Sequence, residues 1–256
     1  MTCVRFLLPA IFSALLLVPA HAQAADWANL TGRFVVEGKV APPGQIRQNV
    51  LPGINLVDES LVVDKNNGLQ NVLVYVLTKN LPVAHSYDAA ANREIRLDIR
   101  NGRFDPHLVI LRTSQTLKLT NADPFNCNQT LSPAKGRAWN VLLPAAGTAN
   151  ILLATEDVMP VPVKDSIVPW LSAFVLVRSS PYAAISGPDG GFTIPDLPVA
   201  TEFELQLWHE RAGRLANLPV EDRSTDGKGR LKVTIQQGGH DLGDIKIPAA
   251  LLERRR

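Results

Sequence analysis

Residues 161–177 read VPVKDSIVPWLSAFVLV. An apolar run is broken by Lys164, Asp165 and Ser166, and it resumes after a Pro169-Trp170 pair. Pro169 fixes its own backbone and restricts Val168, so the middle of the stretch reads as a rigid turn that opens a strand. The end of the stretch, AFVLV at 173–177, is apolar at every position and predicts a strand covered on both faces. The turn itself offers one carboxylate, one hydroxyl and one lysine. Its stiffness therefore serves no evident reactive group.

The same patterns recur along the chain. NVLVYVL at 71–77 and HLVIL at 107–111 are again apolar on both faces, as in a two-layer core. Phe203, Leu205 and Leu207 alternate with Glu202, Glu204 and Gln206, and Leu231, Val233 and Ile235 with Arg230, Lys232 and Thr234, which is the period of half-buried strands. Turn signals lie between them at Asn66-Asn67-Gly68, Asn101-Gly102, Asp189-Gly190-Gly191, Asp226-Gly227 and Gly238-Gly239. Only YDAAANREI at 87–95 predicts a helix, with Asp88 as its N-cap. Pro- and Gly-rich stretches at 41–54 and 180–200 read as linkers or crossovers. The fold class is all-β, a sandwich architecture.

At 256 residues the chain is long enough for one large β domain or two small ones. It opens like an export signal, with Arg5, an apolar stretch over 6–20 and the small-residue pattern Ala22-Gln23-Ala24; cleavage is expected near Ala24. A soluble periplasmic or secreted protein follows, with no membrane span after signal removal. Without Arg5, 25 of the 26 basic residues remain against 24 acidic ones, a balance that argues against a nucleic-acid partner. Arg254, Arg255 and Arg256 read as a solvated tail. Cys3 leaves with the signal, so Cys127 stands alone in the mature chain and forms no internal disulfide.

Read together, GRFDPHLVILRTSQTLKLTNADPFNCNQT at 102–130 and the stretch at 161–177 resemble the two halves of a cupredoxin. The shared frame runs through Phe104, Pro106, Asn121, Asp123, Ile167, Pro169 and Trp170. A closer resemblance covers nearly all the mature chain. It is to exported cupredoxin-like proteins of the kind labelled methylamine-utilisation proteins in planctomycete-type bacteria, through LVDESLVV, GLQNVLVYV, FDPH, NADP, PWLSAFVLV, SPYA, DGGFTIPDLP, LWHE and DLGDIKIPAAL. DGGFTIPDLPVATEFELQLWHE also resembles the end of a prealbumin or carboxypeptidase-regulatory sandwich, whose beginning would be LTGRFVVEGKVAPPG and NVLVYVL. The expected fold is thus a cupredoxin-like Greek-key β-sandwich combined with a small prealbumin/carboxypeptidase-regulatory-like β-sandwich. The second is expected in two halves, 25–92 and 181–250, around a cupredoxin-like domain at 93–180.

A type 1 copper centre takes two imidazole nitrogens, one thiolate and a long axial thioether. The resemblance assigns the first histidine position to Cys127, the thiolate position to Asp165, the loop histidine to Val168 and the axial methionine to Leu171. All four differ from the family's ligands. Val168 has no donor atom, and Asp165 puts a hard oxygen where soft sulfur belongs. Cys127 and Asp165 are also too few for zinc. No bound metal or other cofactor is expected, and Cys127 reads as a small buried hydrophobe.

The alternative is a periplasmic copper-binding electron carrier with a non-standard ligand set, in which His107 and Cys127 are the donors left to it. The plainer reading of His107 is a satisfied structural histidine. His209 and Glu210 are adjacent on a strand and so point to opposite faces, which makes them an awkward acid–base pair. Asp58 and Glu59 read as a solvated turn with capping duty, and His85 and His240 as surface. No nucleophile elbow, phosphate loop or zinc helix is present. The expected function is a non-catalytic exported module whose partner is a protein or small molecule in the periplasm.

Overall fold

The computed structural model describes residues 27–253, so the expected export signal and the Arg254 to Arg256 tail lie outside the described residues. Two strands come first, β1 (Trp27–Glu37) and β2 (Val72–Val76). Nine follow within 95–178: β3 (Ile95–Arg100), β4 (Arg103–Asp105), β5 (Leu108–Arg112), β6 (Thr116–Asn121), β7 (Cys127–Leu131), β8 (Trp139–Leu143), β9 (Thr148–Leu152), β10 (Val161–Asp165) and β11 (Ser172–Arg178). The last long strands are β12 (Ala183–Ile185), β13 (Gly191–Pro198), β14 (Glu202–His209), β15 (Arg230–Thr234) and β16 (His240–Pro248). The chain is all-β, as its alternation and turn signals predict.

Strand pairing falls into two sets. β3 to β11 pair only with one another, as a five-stranded sheet in the order β8-β7-β10-β11-β5 and a four-stranded sheet in the order β9-β6-β3-β4. Within them β11 runs parallel to β5 and β3 parallel to β6, while the other neighbours are antiparallel. The flanking strands form a second sandwich. One sheet has the order β13-β1-β16, and the other places β2 between β12 and β14, with β15 outside β14. Leu207 pairs with Val74 across β14 and β2, so the chain before residue 77 and the chain after residue 182 share one sheet.

The doubly apolar runs are explained by three cores rather than two. In β2, Val72, Val74 and Val76 face the core of the flanking sandwich, while Leu73 and Tyr75 face a seam between the sandwiches. In β11, Ala173, Val175 and Val177 enter the core of the 95–178 sandwich, and Phe174 and Leu176 enter the seam. Leu108 and Trp208 complete that seam, and the Phe174 and Trp208 rings meet edge-on at 5.0 Å between centroids. Period-two side-chain alternation thus feeds one core from each face of the same strand.

Polar groups pin the seam where it reaches solvent. The Tyr75 hydroxyl donates to the Val158 carbonyl at 2.8 Å, and burial pushes its pKa up to about 12. The buried Arg178 guanidinium donates to the Val76 and Asp157 carbonyls at 3.1 and 3.2 Å. These three bonds to carbonyls compensate for polar groups withdrawn from water.

Two sequence expectations are corrected. Residues 87–95 do not form a capped helix: a short 3-10 helix spans His85–Ala90, Asp88 lies inside it, and its N-cap Ala84 has no side-chain cap bond. Its backbone is diverted because Ile95 already belongs to β3, paired with Leu117, and tertiary pairing overrides a weak local preference. Residues 180–200 are not a linker either, since they carry β12 and β13. Pro195 and Pro198 sit on β13, an edge strand, where a missing N–H is tolerated. His240, read as surface, opens β16 and is bonded to Glu221.

The seam makes a stability prediction. Trp208→Ala is expected to cost about 3–5 kcal/mol, by loss of buried area and the cavity left behind. Leu142→Ala, at a side chain 63% exposed, is expected to change stability by less than about 0.5 kcal/mol. Urea unfolding of both variants checks the contrast.

Candidate functional site

The turn between β10 and β11 closes on itself. The Asp165 amide donates to the Leu171 carbonyl at 3.2 Å and the Leu171 amide to the Val168 carbonyl at 2.9 Å. The Asp165 carboxylate organises everything around it. Oδ1 accepts from the Ile167 and Val168 amides at 2.7 and 2.6 Å, and Oδ2 from the Asn128 amide at 2.9 Å and from Gln129 Nε2. Four donors on one buried carboxylate satisfy its lone pairs, so this negative charge is held by protein dipoles.

All four ligand-equivalent positions meet here. Cys127 starts β7 against the Asp165 carboxylate, and Val168 and Leu171 belong to the same apolar core as Cys127 and Phe104. Cys127 is fully buried, Val168 and Leu171 nearly so. Burial, and then the nearby Asp165 and Asp123 carboxylates, push the Cys127 thiol up to about 12, which keeps it protonated. One hard carboxylate already saturated with donors, one neutral thiol and two hydrocarbon side chains do not fit type 1 copper. Among the described residues no three His, Cys, Asp or Glu side chains cluster as a metal site.

The rest of the shared frame has structural work. Asn121 Nδ2 donates to the Phe125, Leu143 and Pro144 carbonyls at 2.7, 3.2 and 3.1 Å. Asp123 accepts from the Asn101 and Gly102 amides at 2.6 and 2.7 Å, and Trp170 Nε1 donates to the Gly102 carbonyl at 3.0 Å. Gly102 sits at φ 72°, and a Cβ there would lie 2.9 Å from methyls of Leu51 and Leu56. That contact brings the segment around residues 51–56 down onto the end of the 95–178 sandwich.

His107, expected as a structural histidine with a donor role as the alternative, shares a cleft with Trp170 and Leu171 of the turn, and its Nε2 lies 2.6 Å from Glu210 Oε2, across the gap between the sandwiches. His209, the neighbour of Glu210, points into the protein. Its Nδ1 accepts from the Arg211 amide at 3.2 Å, and burial, then Arg211 and His107, push its pKa down to about 3. His209 therefore stays neutral while Glu210 faces the gap, and the adjacent pair makes no acid–base dyad.

Around His107 lies a cleft that no single motif announces. Asp58 accepts from the Ser60 hydroxyl at 2.6 Å and from Arg211 Nη2 at 2.9 Å, and Arg211 Nε donates to Ser60 Oγ at 2.7 Å. Glu59 Oε1 accepts from Arg103 Nη1 at 2.7 Å, joining the two sandwiches. Asp58, Glu59, Ser60, Arg103, His107 and Trp170 all line this cleft. LVDES, FDPH, PWLS and LWHE are remote in sequence and converge only in three dimensions. Asp58 has the capping duty expected of it, accepting from the Ser60 amide at 3.0 Å, but both carboxylates are also partnered residues of the cleft wall rather than simply solvated.

No family profile matches the chain, and no curated protein does. Solved structures match parts of it. A reduced amicyanin variant is similar at 12% identity over 41% of this chain and 98% of its own, with a TM-score of 0.30. A purple cupredoxin from Nitrosopumilus maritimus is similar at 18% identity over 34% of this chain and 100% of its own, with a TM-score of 0.29. A copper-containing nitrite reductase from Thermus scotoductus is similar at 12% identity over 41% of this chain and 25% of its own, with a TM-score of 0.32. The 95–178 unit is a cupredoxin-like β-sandwich. Its two sheets, each with one parallel pair, carry that statement.

The buried thiol gives a pH signature. Its ordinary value of 9.0 rises to about 12 on folding, so its contribution is fully present below pH 9 and is lost as pH climbs toward 12. Over that window wild type is expected to lose about 1.4 kcal/mol more per pH unit than Cys127→Ala. Tyr75 titrates in both proteins and cancels. Parallel stability curves from denaturant unfolding at pH 8 to 11 would contradict the assignment.

Proposed function

We propose that this chain is an exported, non-catalytic cupredoxin-like protein that has lost the type 1 copper site and serves as a binding or structural module outside the cytoplasm. The observation that carries the reading is Asp165. At the thiolate position stands a carboxylate whose oxygens are already taken by three backbone amides and one side-chain amide. A metal arriving there would have to displace those donors, and Val168 and Leu171 would supply nothing in return. The frame persists for a different reason: Asn121, Asp123 and Trp170 hold loops together by hydrogen bonds that need no metal. The flanking β-sandwich, in two halves around the cupredoxin-like domain, belongs to the same reading as a fixed partner for it. The sequence supports export through its opening signal and argues against nucleic acid through its charge balance.

Copper chemistry tests the proposal. Purified mature protein is expected to contain no stoichiometric copper or zinc by elemental analysis, and titration with Cu(II) is expected to give no intense visible charge-transfer band. One copper per chain with such a band would sink the reading and restore an electron carrier with an unusual ligand set.

A further inference from the structure

The cleft between the sandwiches uses charged side chains that neither the copper loop nor any of the three cores requires. Buried and half-buried ion pairs add little net stability, because the cost of stripping water from both partners offsets their attraction. Apolar side chains would have sealed this gap at least as well. Instead three pairs meet there: Asp58 with Arg211, Glu59 with Arg103, and His107 with Glu210. The wall is completed by Phe104, Leu171 and the Trp170 indole, which the Gly102 carbonyl fixes in place.

Unused hydrogen-bonding capacity remains on that wall. Arg103 spends one N–H on Glu59 and is 53% exposed, and Glu59 Oε2 has no donor among the described residues. His107 gives Nε2 to Glu210, and its Nδ1 has no partner among the described residues. The cleft thus shows a cationic donor, an anionic acceptor and an imidazole nitrogen beside an aromatic ring. The chemistry of the pairs decides what can join them. An anion drawn to Arg103 also meets the Glu59 carboxylate, and a cation drawn to Glu59 also meets the Arg103 guanidinium, so a net charge is repelled by one member of the pair it approaches. A neutral hydroxyl both donates and accepts, so it adds to each pair without breaking one.

We propose that this cleft binds a small neutral polyhydroxylated ligand of saccharide class, with hydroxyls bridging Glu59, Arg103 and His107 and the apolar face of the ring against Trp170. The site lies beside the old copper loop, sharing Trp170 and Leu171 with it, and it stands whether or not that loop takes up metal.

Mature full-length protein would be titrated with glucose, galactose, N-acetylglucosamine and cellobiose, followed by saturation-transfer NMR and tryptophan fluorescence. At least one is expected to bind saturably, with a Kd of about 1 mM or tighter. Glu59→Gln and Arg103→Met, each checked for native near-ultraviolet circular dichroism, are expected to weaken it roughly tenfold, the loss of one charge-assisted hydrogen bond. The proposal is overturned if none of the four sugars binds, if binding ignores both substitutions, or if acetate or ethylammonium binds with the same dependence on them. Copper uptake by the loop would leave this result untouched, and failure to bind sugar would leave the metal-free reading untouched.

Discussion

Phe174 and Trp208 meet edge-on in the middle of an apolar seam, with Leu73, Tyr75, Leu108 and Leu176 packed around them. This contact sets the geometry of the whole molecule. It lies between two β-sandwiches that pair no long strands with each other, so side-chain packing has to hold them in register. Burying each large apolar side chain there contributes about 1.5–3 kcal/mol, more than the partly exposed ion pairs at the rim supply. Because β2, β5 and β11 serve the seam with one face and a sandwich core with the other, the seam cannot shift without disturbing both cores.

The site follows from that rigidity. With the sandwiches in register, the turn after Asn101, the turn after Asp165 and the turn after His209 come to the same place. Leu51 and Leu56 pack against Gly102 and bring Asp58 and Glu59 with them. Trp170 contributes to both neighbourhoods, as a pin for the copper-type turn through Gly102 and as a wall of the cleft. The turn keeps its shape because Asp165 supplies from one carboxylate the acceptor bonds that close it, a role that asks for oxygen rather than sulfur. The turn's conformation is thus closed by hydrogen bonds from the chain itself.

Much of the fold was legible in the chain. Alternation at 230–235 gave a half-buried strand, and uninterrupted apolar runs at 71–77 and 173–177 gave strands covered on both faces, as the structure has them, while the strand expected to be half-buried at 202–207 is buried on both faces from Leu205 on, Gln206 included. Cys127, Asp165, Val168 and Leu171, which the resemblance groups, do come together in the structure. The expected helix at 87–95 failed because an alanine run is only a local preference, and pairing of Ile95 with Leu117 outweighs it. A structural role for His107 could be expected from the chain but its partner could not, because nothing local to FDPH says that Glu210, 103 residues away, is bonded to it.

Composition and pattern by themselves determined an all-β chain and a turn at 161–177 without cysteine, histidine or methionine, because those follow from side-chain chemistry and period-two alternation. Which face of each apolar strand meets which core was decided only by tertiary structure, since alternation says that both faces are covered and not by what. The pairing of Glu59 with Arg103, of Asp58 with Arg211 and of His107 with Glu210 was decided there too. Such contacts act over a few ångströms, and only the packed seam brings segments so far apart in sequence within that reach.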